Sequence, residues 1–297
     1  MSSLLYDIPG PKARARNRVL TAVGALVVAG LVALAVWRLV VNDQLDGDRW
    51  AVLFDPRTEV PQALLRALGR TLQVAVIGMV LATVLGALLA IGRLSDRRWI
   101  SRPVTVVVEF FRAVPLLLLI LFSFIFIPAI GTPVSPFAAL LLGLVLYNMS
   151  VLAEIFRSGI LSVARGQWEA GYALGLRKSQ LMTTVLLPQA VRRMLPVLIA
   201  QLVVLLKDTS LGYIVTYSEL LRTARSLVEF FGNTYSFQFY VAAAVIYILV
   251  NLLISSIARL VERRTRKDRK ARAVGPVGLP DEITPVVVPG GGPDRSR

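Results

Sequence analysis

The chain has 297 residues, 56% of them hydrophobic and 17% charged, with a mean hydropathy of +0.67. Soluble domains hold roughly 45–50% apolar and about 25% charged residues, so a water-soluble enzyme is a poor fit. Histidine and cysteine are both absent, which excludes His/Cys zinc sites, thiol nucleophiles, His-ligated haem, Ser-His-Asp triads and disulfides. The formal charge of +15 leaves two sources open: nucleic-acid binding, or the basic loops of a membrane protein.

Residues 1–18 form a basic N-terminus carrying Lys12, Arg14, Arg16 and Arg18. The apolar run Val19–Val41 follows. It is longer than the core of a signal peptide and lacks a small-residue cleavage site, so a retained anchor helix is expected. Arg38 near its end can snorkel to the interface. Residues 42–63 are acidic and turn-rich, which predicts an external linker with a short interfacial helix.

Five further spans are predicted at Ala67–Gly92, Val104–Pro128, Phe137–Phe156, Met194–Tyr217 and Phe237–Leu260. Runs of about 20 residues suffice to cross about 30 Å of hydrocarbon. Their backbone groups find no partner in lipid, so each must be helical. In the first of these, Gly78, Ala82, Gly86 and Ala90 recur every fourth residue and open one face to a close neighbour.

The basic residues orient these spans. Segments 1–18, 93–102, 157–193 and 259–297 hold four, four, six and ten Lys/Arg, whereas 42–66 and 208–236 hold three and two. The positive-inside rule then places both termini in the cytoplasm.

Charge inside a span is costly and marks function or packing. Glu109 with Arg112, and Glu154 with Arg157, are three apart on their helices and predicted to lie near the cytoplasmic ends. They either fix the mouth of the bundle or take part in gating.

Lys207-Asp208-Thr209-Ser210 interrupts a span. Asp, Thr and Ser cap helix N-termini, so the chain is expected to break and restart there, offering free N–H groups to an anionic ligand group. A buried Lys–Asp pair is the alternative. Gln201, Asn148 and Asn251 are expected to bond neighbouring helices, with lining a substrate path as the alternative. Neither a paired-carboxylate site nor a Gly-x-x-x-x-Gly-Lys-[Ser/Thr] loop nor a DNA-binding motif is present. An active transporter of this kind would need its motor in another chain.

Between the spans, residues 158–187 form a long cytoplasmic loop. Gly166–Leu174 is expected to form a short helix, with Gly175 as its left-handed stop. Trp168, Ala170, Ala173 and Leu174 give it an apolar side, suited either to a partner's groove or to the bilayer surface. Beyond the last span, 261–297 opens with a basic run from Arg263 to Arg272 that suits anionic lipid. It ends Pro289-Gly290-Gly291-Gly292-Pro293, which reads as disorder.

Several blocks in order resemble the permease subunits of ATP-binding-cassette importers, in the polar amino-acid uptake branch. Glu169-Ala170-Gly171, Gly175 and Leu187-Pro188 are similar to the family's Glu-Ala-Ala loop, with Gly171 in place of its third small residue. Arg70-Thr71-Leu72, Phe111-Arg112-Ala113-Val114-Pro115-Leu116-Leu117, Ala153–Ile160 and Leu206–Leu211 agree with the same branch, although Ala113-Val114 replaces the usual Gly-Thr-like pair. Together they cover residues 66–260.

The resemblance implies an all-α integral membrane protein of the type I importer fold. It would have five core transmembrane helices in a permease domain over 64–260, plus the N-terminal anchor. Gln167, Glu169, Ala170, Gly171, Leu174, Gly175 and Leu176 are then the coupling residues toward a dimeric ATPase subunit. No cofactor is expected in this chain, with ATP and Mg on that ATPase, and no bond chemistry. Other implied partners are a second permease (the extended ends favour a heterodimer), an extracytoplasmic substrate-binding protein and membrane lipid. The location implied is a bacterial cell membrane. Nucleic acid is not an expected partner, since a basic flank after a final span is ordinary.

Lys207, Asp208, Thr209, Ser210 and Gln201 are the candidate substrate path. The excess of arginine over lysine and the extended ends resemble glutamate-importer permeases of high-GC Gram-positive bacteria. The half-helix at Asp208–Ser210, Lys207, and Arg222 with Arg225 suit an acidic amino acid, and the two arginines equally suit an acidic binding-protein surface. Permeation of another small solute, an ATP-independent carrier and a membrane scaffold are the competing readings.

Overall fold

A computed structural model describes residues 10–271, and these are helical without a strand among them. The first helix, α1 (Pro11–Val41), is basic in its first two turns and apolar on all sides beyond Arg18, and has no buried residue. No other described residue buries it, as befits a helix solvated by lipid. A linker then carries α2 (Gly47–Ala51), capped by Asp46, and a single 3₁₀ turn (Pro56–Thr58), capped by Asp55. The short linker helix predicted from composition is therefore present. Trp50 Nε1 and Gln238 Nε2 both donate to the Gln44 carbonyl, at 3.0 and 2.9 Å, and pin the linker to the start of the last helix.

The core is built on α3 (Val60–Arg93) and α6 (Pro136–Leu161), which pack along their length. Gly78, Ala82, Gly86 and Ala90 are all buried on the inner face of α3. At Gly86, a methyl group would stand 2.9 Å from both Leu152 Cβ and the Met149 carbonyl oxygen of α6. The small-residue stripe is thus the seam of the bundle.

One predicted span is corrected. Val104–Pro128 is not a continuous helix but α4 (Arg98–Ala113) and α5 (Leu116–Ala129), bent by 95°. Pro115 lacks an N–H, and its ring drives Val114 into extended geometry (φ −78°, ψ 128°), which ends α4. Among the described residues, five helices are long and apolar enough to cross a membrane, or six if this bent pair counts as one span.

After the loop helix α7 (Arg165–Ala173), the chain climbs through α8 (Lys178–Leu181), a π-helical turn (Met182–Leu186) and α9 (Leu187–Asp208). The π turn has a local cause. Pro188 cannot donate, and its ring crowds the carbonyl four residues back, so a widened turn just before it relieves the conflict.

A 3₁₀ segment (Thr209–Tyr213), the short α10 (Leu220–Phe231) and the long α11 (Ser236–Ala271) complete the described chain. Helix α11 continues past Leu260, the predicted end of the last span, through much of the basic run. The Pro/Gly run at 289–293 lies outside the described residues.

Candidate functional site

Helix α7 has two faces with different duties. Gly171 is buried against the side chain of Leu181, and half-buried Trp168 and Leu176 pack on the cluster of Ile160, Val163, Leu181 and Leu186. The expected apolar side is therefore divided, with Trp168 inward but Ala170, Ala173 and Leu174 outward. Gln167, Glu169 and Gly175 are also exposed, and Leu174 is 80% so.

The helix stop is a paired one. Gly175 adopts φ +75°, with Gly175 N–H donating to the Tyr172 carbonyl at 2.9 Å and Leu176 N–H to Gly171 at 3.1 Å. Those two bonds form the Schellman pattern that a left-handed glycine permits. Gln189 Nε2 donates to Gln167 Oε1 at 3.1 Å, and Arg193 donates to the Ser162 carbonyl, so α9 anchors the N-terminal side of the loop helix. The result is a surface helix held from behind, with its outer face left uncovered by the other described residues.

Both expected ion pairs form, and a residue that spacing does not reveal joins them. Glu109 and Arg112 approach to 3.4 Å, and Glu154 and Arg157 to 2.7 Å. Arg93, at the end of α3, reaches Glu154 at 2.6 Å and Glu109 at 3.1 Å with its own side chain only 8% exposed. Read as the last residue before a turn, Arg93 resembles an ordinary basic flank, so the sequence gives no signal for this role.

The candidate path is arranged differently from expectation. The chain does not restart as a helix at Asp208: α9 runs directly into the 3₁₀ segment, and Asp208 is helical in geometry and makes no capping bond. A continuous helical backbone keeps its N–H groups engaged and leaves none for a ligand. The alternative pair is not seen either, since Lys207 is exposed and forms no ion pair with Asp208. Thr209 is buried, its hydroxyl donating to the Leu206 carbonyl at 2.6 Å, and Ser210 is half-buried beside it. Gln201 Nε2 donates to Asn148 Oδ1 at 2.7 Å, bonding α9 to α6, while Asn251 bonds its own helix at Tyr247.

The helix restart occurs instead at Glu219. Its carboxylate accepts from the N–H groups of Leu221 and Arg222 at 2.7 Å each, capping α10, and from the Tyr247 hydroxyl at 2.7 Å. Burial pushes its pKa up, partly offset by those hydrogen bonds. Leu220 N–H donates to Thr71 Oγ1 at 3.3 Å, and Tyr217 Oη to the Arg70 carbonyl at 3.1 Å. Ser218-Glu219 ahead of an apolar-periodic run is a legible cap signal. Reading 208–236 as one external loop masks it. On α10, Arg222 lies over the Tyr213 ring at 6.0 Å, whereas Arg225 is paired with Glu229 at 2.9 Å.

These features belong to a helical membrane protein with an outward-facing loop helix on one end and a capped short helix elsewhere. Residues 82–267 match the family described as the binding-protein-dependent transport system inner membrane component. The chain belongs to that family.

Relatives within the permease family are close. The glutamate transport system permease protein GluD of Corynebacterium glutamicum is 39% identical over 236 residues, spanning 78% of this chain and 85% of the relative. The probable glutamine ABC transporter permease protein GlnP of Bacillus subtilis is 36% identical over 195 residues, or 65% and 89% of the two chains. A crystal structure of an amino acid ABC transporter with histidines superposes at TM-score 0.66 and 27% identity, over 70% of this chain and 97% of that one. The inward-facing MetNI methionine ABC transporter shares the fold, at TM-score 0.54 and 21% identity over 69% and 94%. The permease therefore has the type I importer fold and is a multi-pass membrane protein.

Proposed function

We propose that this permease is the transmembrane subunit of an ATP-driven importer for a polar amino acid, with glutamate the favoured substrate. The observation that carries the reading is α7. A helix fixed from behind by Trp168, Gly171 and Leu176, and stopped by Gly175, presents Gln167, Glu169, Ala170 and Leu174 outward. Such a rigid convex element suits insertion into a cleft of an ATPase subunit.

In this reading both termini are cytoplasmic, and α7 lies on the cytoplasmic side of a bacterial cell membrane. ATP and Mg bind the partner ATPase dimer, and this chain performs no bond chemistry. Two permease subunits, a heterodimer by preference, enclose the path, and an extracytoplasmic binding protein delivers the substrate. The chain's contribution is to bind different conformations of its partners unequally, as any coupling requires. In the same reading Gln201, Lys207, Asp208 and Ser210 line the path with Thr209 buried behind them, and Arg222 is assigned to the outer side. Of the two outer arginines, Arg222 is the better candidate for an acidic substrate, because Arg225 already holds Glu229.

Glutamate is favoured by the similarity to GluD, and glutamine is the second choice by similarity to GlnP. Copurification tests the importer reading: an ATPase subunit should accompany the chain and be lost on Glu169→Lys or Gly175→Asp. Absence of any ATPase under gentle extraction would leave a carrier or scaffold. Competition of labelled uptake by unlabelled glutamate, glutamine, arginine and histidine tests the substrate, and indifference to glutamate removes it.

A further inference from the structure

Behind the docking face of α7, the loop is tied to a second turn of the chain. Lys178 opens α8, and its ammonium reaches back to the segment joining α3 to α4. Lys178 Nζ donates to the Leu94 carbonyl at 3.1 Å and to Asp96 Oδ1 at 2.5 Å. Among the described residues it is the one ion pair between residues 162–186 and the rest of the chain. Leu94 also packs on the Leu181 cluster that backs Trp168 and Leu176. Its neighbour Arg93 holds Glu109 of α4 and Glu154 of α6. A continuous set of contacts therefore runs from α7 through Lys178 to the α3–α4 turn, and through Arg93 to two more helices.

The ion-pair half of the Lys178 contact adds little to stability. Asp96 is 82% exposed, and an ion pair so open to water contributes little to folding. The carbonyl it also captures belongs to the C-cap of α3, where a cation is favourably placed against the helix dipole. Lys178 thus grips the end of a long helix, a place where a small push moves a rigid element. Energetic coupling between distant sites travels through such packed and hydrogen-bonded elements.

We propose that Lys178 is a positioning residue for transport. It hands the displacement of α7 to the α3–α4 turn, and Arg93 passes that displacement to α4 and so to the bend before α5. This rests on the reading of α7 as the coupling helix. It adds to that reading a specific route, through residues outside the docking face.

The absence of cysteine in the chain makes the test direct. Arg102→Cys places one thiol on exposed α4, and its maleimide labelling is followed in the assembled complex with and without ATP plus vanadate. With Lys178 or Lys178→Arg, nucleotide trapping should change the labelling rate about fivefold or more, the lower end of ordinary site-to-site coupling, and Lys178→Met should reduce the change to about twofold or less. The ATPase should copurify from all three.

A full response in Lys178→Met overturns the relay, and so does no response in any background. Loss of the ATPase from Lys178→Met alone also overturns it, by making Lys178 a docking residue. Retention of the ATPase by Glu169→Lys and Gly175→Asp would instead sink the parent reading of α7, whatever the thiol label on α4 reports.

Discussion

Arg93 Nη1 lies 2.6 Å from Glu154 Oε2, joining the last residue of α3 to the polar face of α6. The same guanidinium holds Glu109 at 3.1 Å, so one side chain ties α3, α4 and α6 together at one end of the bundle. Two ion pairs visible as three-residue spacings become one network only through this residue.

Arg93→Met should therefore destabilise more than loss of the exposed member, Glu109. It strands Glu154 with Arg157 alone and frees α4, at a cost of about 1–3 kcal/mol for a largely buried charged hydrogen bond. Glu109 is 53% exposed, and Glu109→Ala should cost about 1 kcal/mol or less, as open pairs do. Thermal unfolding in detergent measures both. An Arg93→Met loss no larger than that of Glu109→Ala would show that the network is ornamental.

The contrast between Arg93 and Glu109 also shows what a sequence can disclose. Spans, the loop helix, its glycine stop and the i,i+3 pairs are local, and periodicity or residue type reveals them. Arg93 meeting Glu154, and Lys178 meeting Leu94, depend on how segments 61 and 84 residues apart come together, and no local pattern encodes that. The bend at Pro115 lies between these cases. Its proline is plain in the sequence, but Pro is tolerated in membrane helices, and only packing decides whether it breaks one. At Asp208 the cap-forming residues mislead, because the surrounding apolar helix simply continues; the true cap, Glu219, stands further along the chain.

Gly175 tests the stop of the loop helix. At φ +75° a β-branched side chain is strained, so Gly175→Val should cost about 1–2 kcal/mol locally, whereas Gly175→Asn tolerates the left-handed region. ATPase copurification should fall for Val and persist for Asn. Equal retention would mean that the conformation of this turn does not matter to docking.

Glu219 offers a pH signature. Burial raises its pKa in the folded chain above the ordinary carboxyl value, outweighing the bonds from Leu221, Tyr247 and Arg222. The folded state then holds this proton more tightly than the unfolded state. Its contribution to stability is complete below the unfolded pKa and is lost as pH rises through the folded pKa. Glu219→Gln does not titrate. The melting temperature of the parent relative to this variant should therefore decline as pH is raised from about 4 to about 8, across the range of a raised carboxyl. A constant or widening difference would contradict the assignment. Tyr247→Phe, which removes one donor, should cost about 1 kcal/mol near neutral pH.

The seam between α3 and α6 makes the last prediction, with a control on the same helix. A methyl group at Gly86 would fall 2.9 Å from Leu152 Cβ and the Met149 carbonyl, neither of which can swing aside. Gly69 has open space around it. Gly86→Ala should force the helices apart at a cost of about 1–3 kcal/mol, as overpacking does. Gly69→Ala should be neutral or stabilising by about 0.5–1 kcal/mol, because alanine loses less backbone freedom than glycine in a helix. Helix propensity acts alike at both positions, so the difference in melting temperature isolates the contact. If Gly86→Ala melts with or above Gly69→Ala, then α3 and α6 do not approach as closely as their small residues allow.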